Sequence, residues 1–196
     1  MMVKKDLRIL GLSGSLREGS FNKRLLALAL SSAERHGAVV SEIDLSKTPL
    51  PFYDADLEAR DGLPSTVLAL KKEFMDADGL MIATPEYNGF FPGVLKNCLD
   101  WLSRRSSIED SILSSYNGKV IGLMSATVGG SGGIRSLTAL TTQFQYLGVM
   151  VLPRPFSLMH AGKAFSDGGT VSPELLSSID EMTSVLIDTL QKLKQD

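Results

Sequence analysis

The stretch LRILGLSGSLREGSFNKRLLALALSSAER, residues 7–35, decides the fold. Residues 7–12 form a nearly continuous apolar run closed by small residues, which suits a strand buried on both faces of a parallel sheet. From Lys23 to Arg35 leucine and alanine recur at helical spacing until Gly37 supplies a stop. Between the two lies a loop of glycines and hydroxyls. Strand, loop and helix in that order open an alternating β/α chain.

The order repeats downstream. Residues 38–45 read as a second strand, and 46–62, with Pro49, Pro51 and a cluster of acids, as an irregular crossover with room for a short helix. From Ser65 onward Val67, Leu70 and Phe74, with Leu68 and Met75 alongside, predict an amphipathic helix that Gly79 ends. LMIAT, 80–84, is the third strand; Pro92 is set as the first-turn proline of a helix through VLKNCLDWLSR; KVIGLM, 119–124, is the fourth strand. The loop SATVGGSGG, a helix from Ile134 to Leu147, a fifth strand VMVL and a closing helix over 173–193 complete the series. This alternation predicts an α/β fold: a doubly wound five-stranded parallel sheet of order 2-1-3-4-5, helices on both faces, with its ligand crevice beyond the carboxyl ends of the strands.

The bulk numbers narrow the function. A length of 196 residues fits one domain over 1–196, and 43% hydrophobic with 21% charged residues describes a globular chain. A net charge of -2 with scattered basic residues argues against nucleic acid or an anionic membrane as partner. No apolar run approaches the roughly 20 residues of a membrane-spanning helix. A lone cysteine, Cys98, and an N-terminus that reaches glycine and serine before any signal-like stretch is complete point to the cytoplasm.

Strands one, three and four are neighbours in this sheet order, so the loops that follow them converge and can share a ligand. The first offers Ser13, Ser15, Ser20, Asn22 and the cation Arg17 among Gly11, Gly14 and Gly19, directly before a helix N-terminus. Free N–H groups, hydroxyl donors and the positive dipole end favour a phosphate there, although Ser20 or Asn22 also reads as an ordinary helix cap. The chain has no GxxxxGK[ST] and no GxGxxG, so a monophosphate fits better than a pyrophosphate. In the second loop, PEYNGFF, Tyr87 and Asn88 suit the edge of a planar heteroaromatic ring, while Glu86 reads as a solvated or helix-capping acid more readily than as a catalyst. The third loop, Ser125 to Gly133, lets backbone come close to a ligand, as a plain flexible turn also would.

Other chemistries fit parts of the same sequence. GLSGS approximates the nucleophile elbow GxSxG, but neither His36 nor His160 stands in a context that suggests a base. Asp44, at the end of strand two, could hold a ribose in a dinucleotide-using dehydrogenase, and a flavin-binding electron carrier would share the same loops. Cys98, Leu99 and Leu102 read as packing, Trp101 as packing or a subunit contact, and Arg104 and Arg105 as complements to the negative end of their helix or as a grip on the NADPH phosphate.

Taken together GSLREGSFN (14–22), LPFYDADLE (50–58), PEYNGFFPGVLKNCLDW (85–101) and the glycine-rich loop resemble the NADPH-dependent FMN reductase family, over about residues 7–155. That family comprises flavodoxin-like enzymes acting on quinones, chromate, azo compounds or free flavin. The resemblance implies FMN as cofactor, NADPH or NADH as donor, a small-molecule acceptor, a ping-pong cycle, and dimers or tetramers. It assigns the FMN phosphate to Ser13, Ser15, Arg17, Ser20 and Asn22, and counts Phe21 among the cofactor-binding residues. The ribityl chain and ring go to Pro85, Glu86, Tyr87, Asn88 and Gly89, with Ser125, Thr127, Gly129 and Gly130 closing the other side. Phe52 and Tyr53, with Tyr87 and Asn88, are its substrate-side residues. The flavin carries the electrons, so no side chain is named as catalytic acid or base.

Overall fold

In chain order the computed structural model contains β1 (Arg8–Ser13), α1 (Phe21–Arg35), β2 (Val39–Asp44), α2 (Ala55–Asp61), α3 (Ser65–Asp76), β3 (Gly79–Ala83) and α4 (Gly93–Leu102). β4 (Val120–Ala126), α5 (Ile134–Tyr146), β5 (Met150–Val151), β6 (Phe156–Leu158), α6 (Ala161–Ala164) and α7 (Pro173–Leu193) follow. The structure describes residues 7–111, 113–165 and 171–194.

Successive side chains of a strand point to opposite faces, and here both faces are buried. Leu10, Leu12, Leu80, Ile82, Ile121 and Leu123 pack with Phe74, Leu95, Leu99 and Phe144 on the side of α3, α4 and α5. Their neighbours Ile9, Met81, Val120 and Met124 pack with Leu25, Ala29, Ile179 and Leu186 of α1 and α7. That double burial explains the unbroken apolar runs.

The sheet is parallel with order β2-β1-β3-β4-β5, as the alternation predicts, and gains a strand that the sequence did not suggest. β5 pairs with Val120 and Ile121 at one end of β4, and β6 with Met124, Ser125 and Ala126 at the other. The two occupy one edge, interrupted at Pro153-Arg154-Pro155, where Arg154 has φ 59°. Proline has no N–H for the ladder, so the edge strand breaks there.

Other differences have equally local causes. α3 ends at Asp76, and Gly79 belongs to β3, where a Cβ would lie 2.6 Å from Leu190 Cδ1 and 3.0 Å from Ile9 Cδ1. Close approach of α7, not a helix stop, demands that glycine. The crossover holds α2, which has no buried residue and is capped by Asp54 accepting from the amides of Asp56 and Leu57. Pro92 is the N-cap of α4, one position before its first turn. Gly37 takes φ 83° after α1, as expected of its stop. Among the described residues no helix is long and apolar enough to cross a membrane.

Candidate functional site

Register alone brings the three loops together. Ser13 of β1 lies beside Ala83 of β3 and Ala83 beside Met124 of β4, so all three strands end at one edge. Hydrogen bonds then stitch loop to loop: the Gly14 amide donates to Ala83 O (2.8 Å) and the Thr84 amide to Met124 O (2.9 Å).

In the first loop three serine oxygens accept from backbone. Ser13 Oγ accepts from the Ser15 amide (3.3 Å), Ser15 Oγ from the Arg17 amide (3.4 Å), and Ser20 Oγ from the amides of Asn22 (3.2 Å) and Lys23 (3.4 Å). All three serines are buried. Among the described residues none of these hydroxyls donates its own hydrogen, and the amides of Gly19, Ser20 and Phe21 meet no protein acceptor. The loop is thus a set of donors aimed at nothing in the protein, beside the positive end of α1. Arg17 is exposed, donates to Gly19 O (3.0 Å) and sits 5.8 Å from the Phe21 ring, which itself stacks on Phe165.

Asn22 behaves differently from its sequence reading. Its side chain is buried and forms a reciprocal pair with Ala126: Nδ2 donates to Ala126 O and Oδ1 accepts from the Ala126 amide, both at 2.9 Å. It fastens the start of α1 to the end of β4, a role invisible without knowing which backbone lies opposite.

The second loop is a tight hairpin. Tyr87 and Phe90 exchange two backbone hydrogen bonds (2.9 and 3.1 Å) across Asn88 (φ 53°) and Gly89 (φ 81°). Two successive positive φ values are the reason for an Asn-Gly tip. Tyr87 and Phe90 are half exposed at the top, and Phe90 stacks on buried Phe91 at 4.3 Å. Beneath them, Pro85 O accepts from Ser136 Oγ (3.3 Å), and Glu86 accepts from the amides of Arg135 (3.1 Å) and Ser136 (3.4 Å) and from the Arg135 guanidinium. Glu86 therefore caps a helix, and that helix is α5.

The third loop begins later than its sequence reading, because β4 continues through Ser125 and Ala126. Ser125 is fully buried and its hydroxyl has no partner among the described residues. It lies under Gly133, where any Cβ would collide with it and where φ is 76°. Thr127 donates its amide to Leu158 O (3.0 Å), Gly129 O accepts from the His160 amide (3.1 Å), and exposed Gly129 and Gly130 form the rim. His160, at φ 50°, has its imidazole 3.8 Å from the Cβ position of Gly130.

Phe52 and Tyr53 part company. Phe52 is 85% exposed. Tyr53 is engaged in the fold: its ring meets Trp101 edge-on at 5.1 Å, its hydroxyl donates to Glu58 (3.1 Å) and the Arg104 guanidinium covers it at 5.3 Å. Burial, then the bond to Glu58, raises its pKa. Arg104 is tied to Glu58, so the carbonyl end of α4 is met instead by the ammonium of buried Lys71, which donates to Leu102 O (3.4 Å) and Arg104 O (2.6 Å). Trp101 is fully buried, and burial pushes the Cys98 thiol up to about 12. Asp44 is held down to about 2 by the Ser46 hydroxyl and Lys23, so it is engaged within the protein rather than presented to a ribose. His36 pairs with Asp180, away from Ser13.

A profile of the family described as NADPH-dependent FMN reductase matches residues 7–164. The chain belongs to this family. A quinone reductase of Escherichia coli (strain K12) is 37% identical over 153 residues, 78% of this chain and 77% of that protein. A probable NADPH:quinone oxidoreductase of Oryza sativa subsp. japonica is 33% identical, covering 91% and 86%. Among solved structures, the flavoenzyme NAD(P)H:(acceptor) oxidoreductase FerB of Paracoccus denitrificans superposes with TM-score 0.78 at 26% identity, over 95% of this chain and 98% of that one. This FMN reductase family member is an FMN-dependent NAD(P)H oxidoreductase, which decides against the carrier and dehydrogenase readings.

Proposed function

We propose that FMN lies across the three loops with its phosphate at the amino end of α1, and that a reduced nicotinamide is used there to reduce quinones. The observation that carries this reading is the set of undirected donors in the first loop: the hydroxyls of Ser13, Ser15 and Ser20 and the amides of Gly19, Ser20 and Phe21. A phosphate dianion accepts from all of them and is favoured by the helix dipole and by Arg17. The orphaned Ser125 hydroxyl is a second polar group that the protein alone leaves unsatisfied.

Bound FMN supplies a ring that takes up and gives back electrons without a protein nucleophile. The chain binds and orients. Tyr87, Asn88, Gly89 and Phe90 border the ring edge, and Thr127, Gly129 and Gly130 close the other side with little bulk. Phe52 is the exposed aromatic free to meet a flat substrate. Donor and acceptor take turns at one place, which gives ping-pong kinetics. A site built on apolar and stacking contacts discriminates weakly among flat molecules, so chromate, azo compounds and free flavin are further acceptors. The protein works in the cytoplasm as a homodimer or homotetramer.

One purification tests this reading. The expected protein is yellow, releases FMN by mass, bleaches anaerobically with NADPH or NADH, regains its colour with a quinone and elutes larger than one chain. A colourless protein that cannot be reconstituted with FMN contradicts the proposal.

A further inference from the structure

We infer that Glu86 is a positioning residue that holds the Tyr87–Phe90 hairpin against the amino end of α5, so that FMN meets the second and third loops at one fixed spacing; the inference rests on the FMN reading above. The Glu86 side chain is only 5% exposed. A buried carboxylate is stable only when its oxygens are satisfied, and three donors satisfy this one: the amides of Arg135 and Ser136 and the Arg135 guanidinium. α5 starts on left-handed Gly133 and has no side-chain cap of its own, so a residue 49 positions upstream of Arg135 provides the cap.

The geometry ties the second loop to the start of α5, beyond the strand pairing that brings the loops to one edge. Ser136 Oγ donates to Pro85 O (3.3 Å), so the base of the hairpin is bonded to the first turn of α5 through the Pro85 carbonyl as well as through the Glu86 carboxylate. The stem of Arg135 then runs beneath the tip, with Cδ and Nε 3.7 Å from the Cβ position of Gly89. One arginine thus pairs with the base of the hairpin and passes close to its tip. The carboxylate also occupies the positive end of α5, while the corresponding end of α1 keeps undirected amides. A ligand with a single phosphate suits that asymmetry; a second phosphate near α5 would face Glu86.

The test compares Glu86→Ala, Glu86→Gln and Arg135→Ala with the wild type. Hydrogen exchange of the FMN-free proteins is expected to quicken in both 87–90 and 133–136 for Glu86→Ala. Its FMN affinity is expected to fall about tenfold, with altered visible circular dichroism of the bound flavin. Glu86→Gln, whose amide oxygen still accepts from the two backbone N–H groups, is expected to restore affinity to within about threefold. A folded Glu86→Ala protein with wild-type affinity and flavin signal overturns the inference, even if exchange is faster. Should that variant not fold, Arg135→Ala is read instead: a smaller loss in the same direction supports the coupling, and an unchanged affinity overturns it. Wild-type protein that binds no FMN removes the FMN reading and this inference together, whereas intact wild-type binding with an indifferent Glu86→Ala removes this one alone.

Discussion

Ser15 and Arg17 lie two positions apart, yet they reach the proposed phosphate in opposite ways. Ser15 is buried and fixed by the bond that it accepts from the Arg17 amide, whereas the Arg17 side chain is exposed and held only by Gly19 O. A buried donor whose oxygen is already held in place contributes more to binding a charged acceptor than a solvated one, because little ordering is left to do on binding. Ser15→Ala with Arg17→Ala is therefore expected to weaken FMN binding about a hundredfold while circular dichroism reports an intact fold. Unchanged affinity would move the phosphate elsewhere. At this scale the sequence is legible where a residue acts on its own backbone neighbours: Ser20 reads as a cap and caps α1. Asn22 is not legible in the same way, and Glu86 only as a capping acid without its helix, since each is defined by a partner far away in the chain, Ala126 and Arg135.

Two buried lysines close the carbonyl ends of two neighbouring helices. Lys71 does so for α4, and Lys119 for α3, donating to Met75 O (3.0 Å) and Ala77 O. Burial lowers the pKa of both. The unfolded chain then binds more protons than the folded one, so the cost of burying these ammonium groups is full below the folded pKa and fades as pH rises through the ordinary lysine value. Urea titrations at about pH 8 and about pH 10 are expected to find the wild type gaining stability relative to a Lys71→Met Lys119→Met variant; parallel behaviour would contradict this. Elements were readable in proportion to their buried faces. α7 spans 173–193 as predicted with Pro173 at its start, whereas α2 buries nothing, so the sequence shows room for a short helix in 46–62 but not its bounds. β6 is three residues after a proline, paired only with the far end of β4, too short for a periodic signal.

At the scale of the molecule one sheet separates two cores, and both draw on the same central strands β1, β3 and β4. Neither core survives loss of those strands, so the chain is expected to unfold in a single transition. Because the proposed FMN site is built on the ends of the same strands, FMN binds only the folded form and must shift that transition as a whole. At a hundred times its dissociation constant the gain is about 2.7 kcal/mol, an upward shift on the order of 5–10 °C in calorimetry. Two separate transitions, or one that moves while another stays, would refute this coupling.

The Pro153-Arg154-Pro155 break has a consequence for life in a crowded solution. An uninterrupted outer strand beside β4 would present a continuous row of amides and carbonyls, a template on which another chain could grow. The break leaves two short segments, one of two residues and one of three, with two positions that cannot donate and a left-handed arginine between them. That edge resists strand addition between copies, so the protein can accumulate without seeding fibrils from this side.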